Sequence, residues 1–203
     1  ASDLLTALGF NIAPAPEQAA ELLIRTGFAF CFAQLYHTSM KNVMPVRSAL
    51  ATRTIFNILG PLTNPSHPDY AVIGVYDTAL IKPVAQTLKE LGMKRGFVVH
   101  GSGYHEVSVS GPSDYARLYE DVKGGLPEEN ARIAQAVLSG RGKPAHNDMV
   151  CANMALLLLA GNRVQSIAEG VELARQTLAT GRALGIVEAH RAFARNGTLA
   201  QAA

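Results

Sequence analysis

Long apolar runs, charge of one sign and cysteine are all scarce in this chain, and each scarcity removes a class of protein. No uncharged apolar window of about nineteen residues occurs, so no transmembrane helix is expected. The longest apolar stretch, Met149 to Ala160, is interrupted by Asn153 and suits a buried core helix. Eighteen Lys and Arg against sixteen Asp and Glu leave a formal charge of +2, which points to neither nucleic acid nor a membrane surface. Cysteine occurs only at Cys31 and Cys151, both in apolar surroundings, and reads as two structural thiols in a reducing compartment. No secretory signal opens the sequence, and the cytoplasm is the expected location. The six histidines lack H-E-x-x-H spacing, which argues against a zinc site, and no Gly-x-Ser-x-Gly nucleophile elbow is present. Repeats and low-complexity linkers are also absent, so residues 1–203 are expected to form a single domain.

What the chain does have is one dense connection. Tyr36 to Pro65, YHTSMKNVMPVRSALATRTIFNILGPLTNP, crowds basic and polar residues, prolines and a Gly-Pro between two apolar segments. Connections of such length are usually functional or disordered. Ile55, Phe56, Ile58, Leu59 and Leu62 make this one too apolar to be disordered.

The rest of the chain alternates strand and helix signals. Asp3 to Leu8 reads as a short helix stopped by Gly9, and Glu17 to Thr26 as a second, with Pro16 at its first position and Gly27 ending it. Phe28 to Phe32 is a continuous apolar run of the kind found in buried strands. Thr52 to Leu59 is helical and is expected to break at Gly60-Pro61. Tyr70 to Val75 and Gly96 to Val99 are further buried strands, joined by a helix that Asp77 caps and Gly92 ends. Glu106 to Val109 and Tyr115 to Val122 alternate like weaker strands. Helices are expected over Pro127 to Ser139, from an Asp148 cap to Ala160, from Ser166 to about Thr180, and over Leu184 to Phe193; Ser166 with Glu169 forms a capping box. The pattern is that of an α/β domain, with a mostly parallel central sheet flanked by helices. Ligands of such sheets bind beyond the carboxyl ends of strands, and Tyr36 to Pro65 begins at one of them.

Three groups of residues could carry chemistry. His37, Lys41, Arg47 and Arg53 form a basic cluster, and arginine grips planar carboxylates with two parallel hydrogen bonds; a solvated face would look the same. The turn His100-Gly101-Ser102-Gly103, followed by His105-Glu106, could cradle phosphate on backbone amides with an acid to hold Mg²⁺; a plain hairpin loop is the alternative. Glu128 and Glu129 open a helix, where acids are explained by the helix dipole alone.

Taken together, Lys41 to Arg47 and Arg53-Thr54-Ile55-Phe56-Asn57-Ile58-Leu59-Gly60-Pro61-Leu62-Thr63-Asn64-Pro65 resemble the signature stretch of the anthranilate phosphoribosyltransferases. Ile73 to Tyr76, Val98 to Gly101, Glu106 to Ser108 and Glu128 to Asn130 extend the resemblance, as does Ser2-Asp3-Leu4-Leu5 with Leu8-Gly9. It implies a catalytic domain of nucleoside phosphorylase and phosphoribosyltransferase type. The implied activity is transfer of phosphoribose from phosphoribosyl pyrophosphate to the amine of anthranilate, with Mg²⁺, in a cytoplasmic enzyme of tryptophan biosynthesis. It further implies Arg47 on the anthranilate carboxylate, His37 and Pro61 along the anthranilate path, Ser2 near the phosphoribosyl pyrophosphate, and Glu106 at the metal. His105 stands where the family's second metal-binding acid, an Asp, is found. The resemblance also implies a longer chain: a helical domain with glycine-rich phosphate motifs before Ala1, through which a homodimer forms, and a strand-rich segment between Lys123 and Gly124. Two alternatives stand beside this reading. One is a pyrimidine nucleoside phosphorylase-like enzyme, the other a non-catalytic paralogue that binds nucleic acid.

Overall fold

In the computed structural model, residues 2–37, 56–101, 122 and 124–197 are described. The chain divides into two compact units. One comprises Ala1–Pro65, Gly125–Arg132 and Arg182–Ala203, and the other Ser66–Gly124 and Ile133–Gly181. The fold is α/β, with a parallel pair of strands among many helices.

The first unit contains α1 (Ser2–Ala7), α2 (Pro16–Thr26), α3 (Ala33–Tyr36), α4 (Phe56–Leu62) and, near the chain end, α9 (Arg182–Asn196). Pro16 occupies the first turn of α2, and Gly27 closes the helix in the left-handed region at φ 76°. Leu22 of α2 and Phe193 of α9 are each 2% exposed and pack together with Ala189. Beside them lies His190, 3% exposed, stacked on Phe10 at a centroid distance of 4.5 Å and meeting Phe28 edge-on at 5.4 Å.

Phe28 to Phe32 is not a strand. The segment pairs with no sheet neighbour among the described residues, and at Phe28 side chains take both backbone groups. The Phe28 N–H donates to Thr26 Oγ1 at 3.3 Å, and the Phe28 carbonyl accepts from His190 Nε2 at 3.2 Å. The apolar side chains find their partners in aromatic packing rather than between two sheet faces.

Helix α4 also departs from expectation, because it continues through Gly60-Pro61 to Leu62. Proline forfeits one hydrogen bond, to the carbonyl four residues back. Here that loss falls in the last turn, and the N–H of Thr63 closes on the Leu59 carbonyl at 2.9 Å.

In the second unit, β1 (Tyr70–Gly74) and β2 (Arg95–Val99) pair in parallel, with Tyr70 opposite Arg95 and Gly74 opposite Val99. Parallel neighbours need a crossover, and α5 (Ile81–Glu90) supplies it after a short 3₁₀ turn, Thr78–Leu80. The Asp77 carboxylate accepts from the Ala79 N–H at 2.9 Å, so the expected cap is present. The helix Pro127–Leu138, α6, belongs to the first unit as far as Arg132; its part from Ile133 on leads to α7 (Pro144–Ala160) and α8 (Ile167–Ala179) of the second unit. Val137, Cys151, Ala174 and Leu178 form the core between these helices. Gly170 faces Ala155 so closely that a Cβ would lie 2.8 Å from the Ala155 Cα, which accounts for a glycine inside α8.

The Ser166 hydroxyl caps α8, accepting from the Glu169 N–H at 3.2 Å, and the Glu169 carboxylate reaches back to the Gln165 N–H at 2.8 Å. Asp148, by contrast, caps nothing. Pro144 starts α7 a turn earlier than expected, with Lys143 at the cap position, so His146-Asn147-Asp148 is helical. Asp148 instead pairs with Arg175 of α8 at 2.9 Å. The weak strands expected over Glu106 to Val109 and Tyr115 to Val122 lie outside the described residues except for Val122, which is helical rather than extended.

Burial pushes the His190 pKa below its ordinary 6.5. The folded state therefore binds fewer protons than the unfolded state once pH falls below about 6.5, and stability present above that pH is lost on acidification. Urea unfolding is expected to show a loss of at most about 1.4 kcal/mol per pH unit from this residue in that window. The slope should flatten in His190→Gln; an equal slope in both proteins would assign the acid sensitivity elsewhere.

Candidate functional site

The Tyr36 to Pro65 connection is described at its two ends, and these ends meet. Residues Cys31, Ala33, Tyr36 and His37 form one wall of a pocket, and Gly60, Asn64 and Pro65 the other. Its volume is about 80 Å³. A cavity of roughly 150 Å³ accommodates benzene, so these walls are scaled to an edge of such a ligand rather than to all of it.

Local chemistry shapes each wall. Helix α3 is one turn long, and its last carbonyl pairing, His37 N–H to Ala33 O at 2.9 Å, fixes where the His37 side chain departs. His37 Nε2 lies 3.1 Å from Thr63 Oγ1, and Thr63 Oγ1 lies 2.7 Å from the Leu59 carbonyl. The Tyr36 hydroxyl hydrogen-bonds the Cys31 thiol; burial first, and then the sulfur, hold the phenol pKa above its usual 10. Gly60 has no atom within 4 Å of where a Cβ would stand, so packing does not demand glycine there.

Of the residues singled out from sequence, His37 lines the pocket. Pro61 is exposed on α4 between the lining Gly60 and the half-buried Leu62, and is not itself a lining residue. Ser2 begins α1, with its hydroxyl 3.5 Å from Asp3 Oδ1, and does not line the pocket. Arg47, Lys41, Arg53, His105 and Glu106 lie outside the described residues. Sequence reasoning misses Cys31, Tyr36, Thr63 and Asn64. Cys31 and Tyr36 meet through a side-chain hydrogen bond across the start of α3; Thr63 and Asn64 have the look of turn residues.

At the end of β2, His100 Nδ1 donates to the Val75 carbonyl at 2.9 Å, tying the two strand ends together. The acids of α6 behave as the helix-dipole reading requires, and Asn130 holds the Gly124-Gly125 turn. Its Oδ1 accepts from the Gly125 N–H at 2.9 Å, and its Nδ2 donates to the Gly125 carbonyl at 2.8 Å. A larger hollow of about 290 Å³ in the second unit is lined by the Asp148–Arg175 ion pair, Asn147 and Cys151, and holds none of the residues that the resemblance places at the site. No cluster of three or more His, Cys, Asp or Glu suited to a metal occurs among the described residues. Among the described residues, no helix is long and apolar enough to cross a membrane.

The family model for the glycosyl transferase family, a/b domain, matches residues 1–121 and 114–184. The chain belongs to this family. Among individual proteins, the anthranilate phosphoribosyltransferase of Aeromonas salmonicida (strain A449) is 39% identical over 90% of the chain and 60% of its own length. That of Shewanella amazonensis is 42% identical over 90% of the chain and 59% of its length. The chain thus spans about three fifths of the length of these curated relatives. Among solved structures, the anthranilate phosphoribosyltransferase from Thermus thermophilus superposes with a TM-score of 0.86 at 38% identity, over 96% of this chain and 64% of that one. The Saccharomyces cerevisiae enzyme in complex with PRPP and Mg superposes with a TM-score of 0.82 at 27% identity, over 97% of this chain and 63% of that one.

The two thiols differ in access. Cys31 is half-buried at the pocket, whereas Cys151 is fully buried and burial raises its thiol pKa. Iodoacetamide is expected to label Cys31 at least about tenfold faster than Cys151 in the native protein, as thiolate access dictates. Peptide mass spectrometry reads this directly, and equal rates would contradict the assigned burial.

Proposed function

We propose that this chain is the α/β part of an anthranilate phosphoribosyltransferase, and that the pocket between His37 and Asn64 receives an edge of anthranilate. The observation that carries the reading is the coincidence of two facts. Relatives that bear this name are about 40% identical over nine tenths of the chain, and the two ends of the Tyr36 to Pro65 connection, which contains the residues resembling the family's signature, line one pocket.

The roles follow from the chemistry. The amine nitrogen bonds to the anomeric carbon of phosphoribosyl pyrophosphate, the carbon–oxygen bond to pyrophosphate breaks, and pyrophosphate leaves with the electron pair while the amine gives up a proton. Such a reaction is promoted mainly by placing the amine and by offsetting charge on the leaving group. Arg47 grips the carboxylate and so orients the ring. His37 and Pro61 border the path of the aromatic acid, and Ser2 lies on the phosphoribosyl pyrophosphate side. Glu106 would hold Mg²⁺; a single carboxylate plus substrate phosphates is an ordinary donor set for this ion, and the imidazole of His105 is a poorer ligand for it. When bound, Mg²⁺ neutralises charge on pyrophosphate.

Residues 1–203 are read as one catalytic domain of a cytoplasmic homodimer that pairs through an N-terminal helical part. A further segment belongs between Lys123 and Gly124. In support, the match to the Pseudoalteromonas translucida relative runs over 209 residues yet covers 93% of a 203-residue chain, so the relative carries residues this chain lacks.

The test is loss of anthranilate fluorescence on adding phosphoribosyl pyrophosphate and Mg²⁺ to the whole protein. Turnover is expected. Arg47→Ala should raise the KM for anthranilate roughly 10- to 100-fold, the range expected for charge-assisted hydrogen bonds. No turnover, together with salt-sensitive DNA binding, would replace this reading with the non-catalytic paralogue that His105 allows. Turnover with an unchanged KM in the variant would remove Arg47 from the site.

A further inference from the structure

Thr63 sits between a carbonyl and an imidazole, and that placement fixes where the imidazole proton is. The Leu59 carbonyl oxygen, 2.7 Å from Thr63 Oγ1, carries no hydrogen, so the proton in that contact is the Thr63 hydroxyl proton. A hydroxyl has one proton. Toward His37 Nε2, 3.1 Å away, Thr63 Oγ1 can therefore only accept. Nε2 must carry the hydrogen, and in the neutral ring Nδ1 is then a bare acceptor. The geometry is held from both sides, by the Thr63 N–H on the same Leu59 carbonyl and by the His37 N–H on Ala33.

The same device occurs once more in the first unit, away from any pocket. Thr26 Oγ1 donates to the Leu22 carbonyl at 2.7 Å and meets His190 Nε2 at 3.1 Å. There the ring is enclosed by Phe10 and Phe28. At His37 the ring is half-buried and lines the pocket that also holds Cys31, Tyr36 and Asn64.

We propose that Thr63 is a positioning residue that holds His37 as its Nε2–H tautomer, so that Nδ1 accepts a hydrogen bond from the amine of the aromatic acceptor. The identity of that acceptor rests on the transferase reading above. An Nδ1–H ring could bond the amine only by donating to its lone pair, the pair the new bond to carbon needs. A bare Nδ1 orients one amine N–H and leaves the nitrogen lone pair for the new bond to carbon.

The experiment pairs nitrogen NMR with kinetics on the whole protein. Long-range ¹H–¹⁵N spectra of histidine-labelled protein, with the His37 signals identified by their loss in His37→Gln, should show a pyridine-like Nδ1 and a pyrrole-like Nε2. Thr63→Val removes the hydroxyl at nearly constant volume and should shift His37 toward mixed tautomers, while raising the KM for anthranilate about 3- to 10-fold, the range expected for one lost hydrogen bond. The KM for phosphoribosyl pyrophosphate should not move. Thr63→Ser keeps the hydroxyl and should restore both readouts. A pyrrole-like Nδ1 in the wild type, or a Thr63→Val protein with unchanged tautomer and KM, overturns the inference and leaves the transferase reading intact. A wild-type protein with the expected tautomer and no anthranilate turnover overturns the transferase reading and, with it, the proposed role of Nδ1.

Discussion

The Thr63 hydroxyl joins two pieces of chain that lie 26 residues apart, and the pocket exists where it joins them. On one side is a single helical turn ending at His37; on the other is the end of α4 and the turn through Asn64-Pro65. Neither piece is a long, self-supporting element. A four-residue helix is far below the length at which helices persist alone. What keeps the two in register is a short relay from imidazole to hydroxyl to carbonyl, with the proline of α4 placed just early enough that Thr63 can close the helix with both its N–H and its hydroxyl.

The core of the first unit uses the same chemistry under different conditions. His190 is buried against two phenylalanines, and burial disfavours its charged form. Its hydrogen-bond partners are Thr26 and the Phe28 carbonyl, so Phe28 gives its backbone groups to side chains instead of a sheet. An aromatic, apolar run that reads as a strand is therefore a packed connection. Periodicity registers that a segment is buried, not which groups satisfy its backbone.

Much of the architecture is legible for local reasons. Pro16, Gly27, Asp77, Gly92 and Ser166 act through their own backbone geometry or a neighbour two or three residues away, and each stands where its chemistry suggests. The parallel pairing of the strands that begin at Tyr70 and Arg95 follows from apolar runs joined by a capped helix. Asp148 misleads because its role depends on Arg175, 27 residues on, and because Pro144 starts the helix first. The pocket is half legible. Motif resemblance leads to His37, but Cys31, Tyr36, Thr63 and Asn64 come together only in three dimensions, and no local pattern announces that a threonine hydroxyl will orient a histidine from 26 residues away.

Membership in the glycosyl transferase family constrains the scaffold, while the proposal for the acceptor rests on the pocket. The central claim is that the space between His37 and Asn64 receives an aromatic acid. A crystal structure of the whole protein soaked with anthranilate tests it most directly. The account predicts the amine within hydrogen-bond distance of His37 Nδ1 and the ring edge against Gly60 and Asn64. Anthranilate bound elsewhere, with this pocket holding only water, would contradict it.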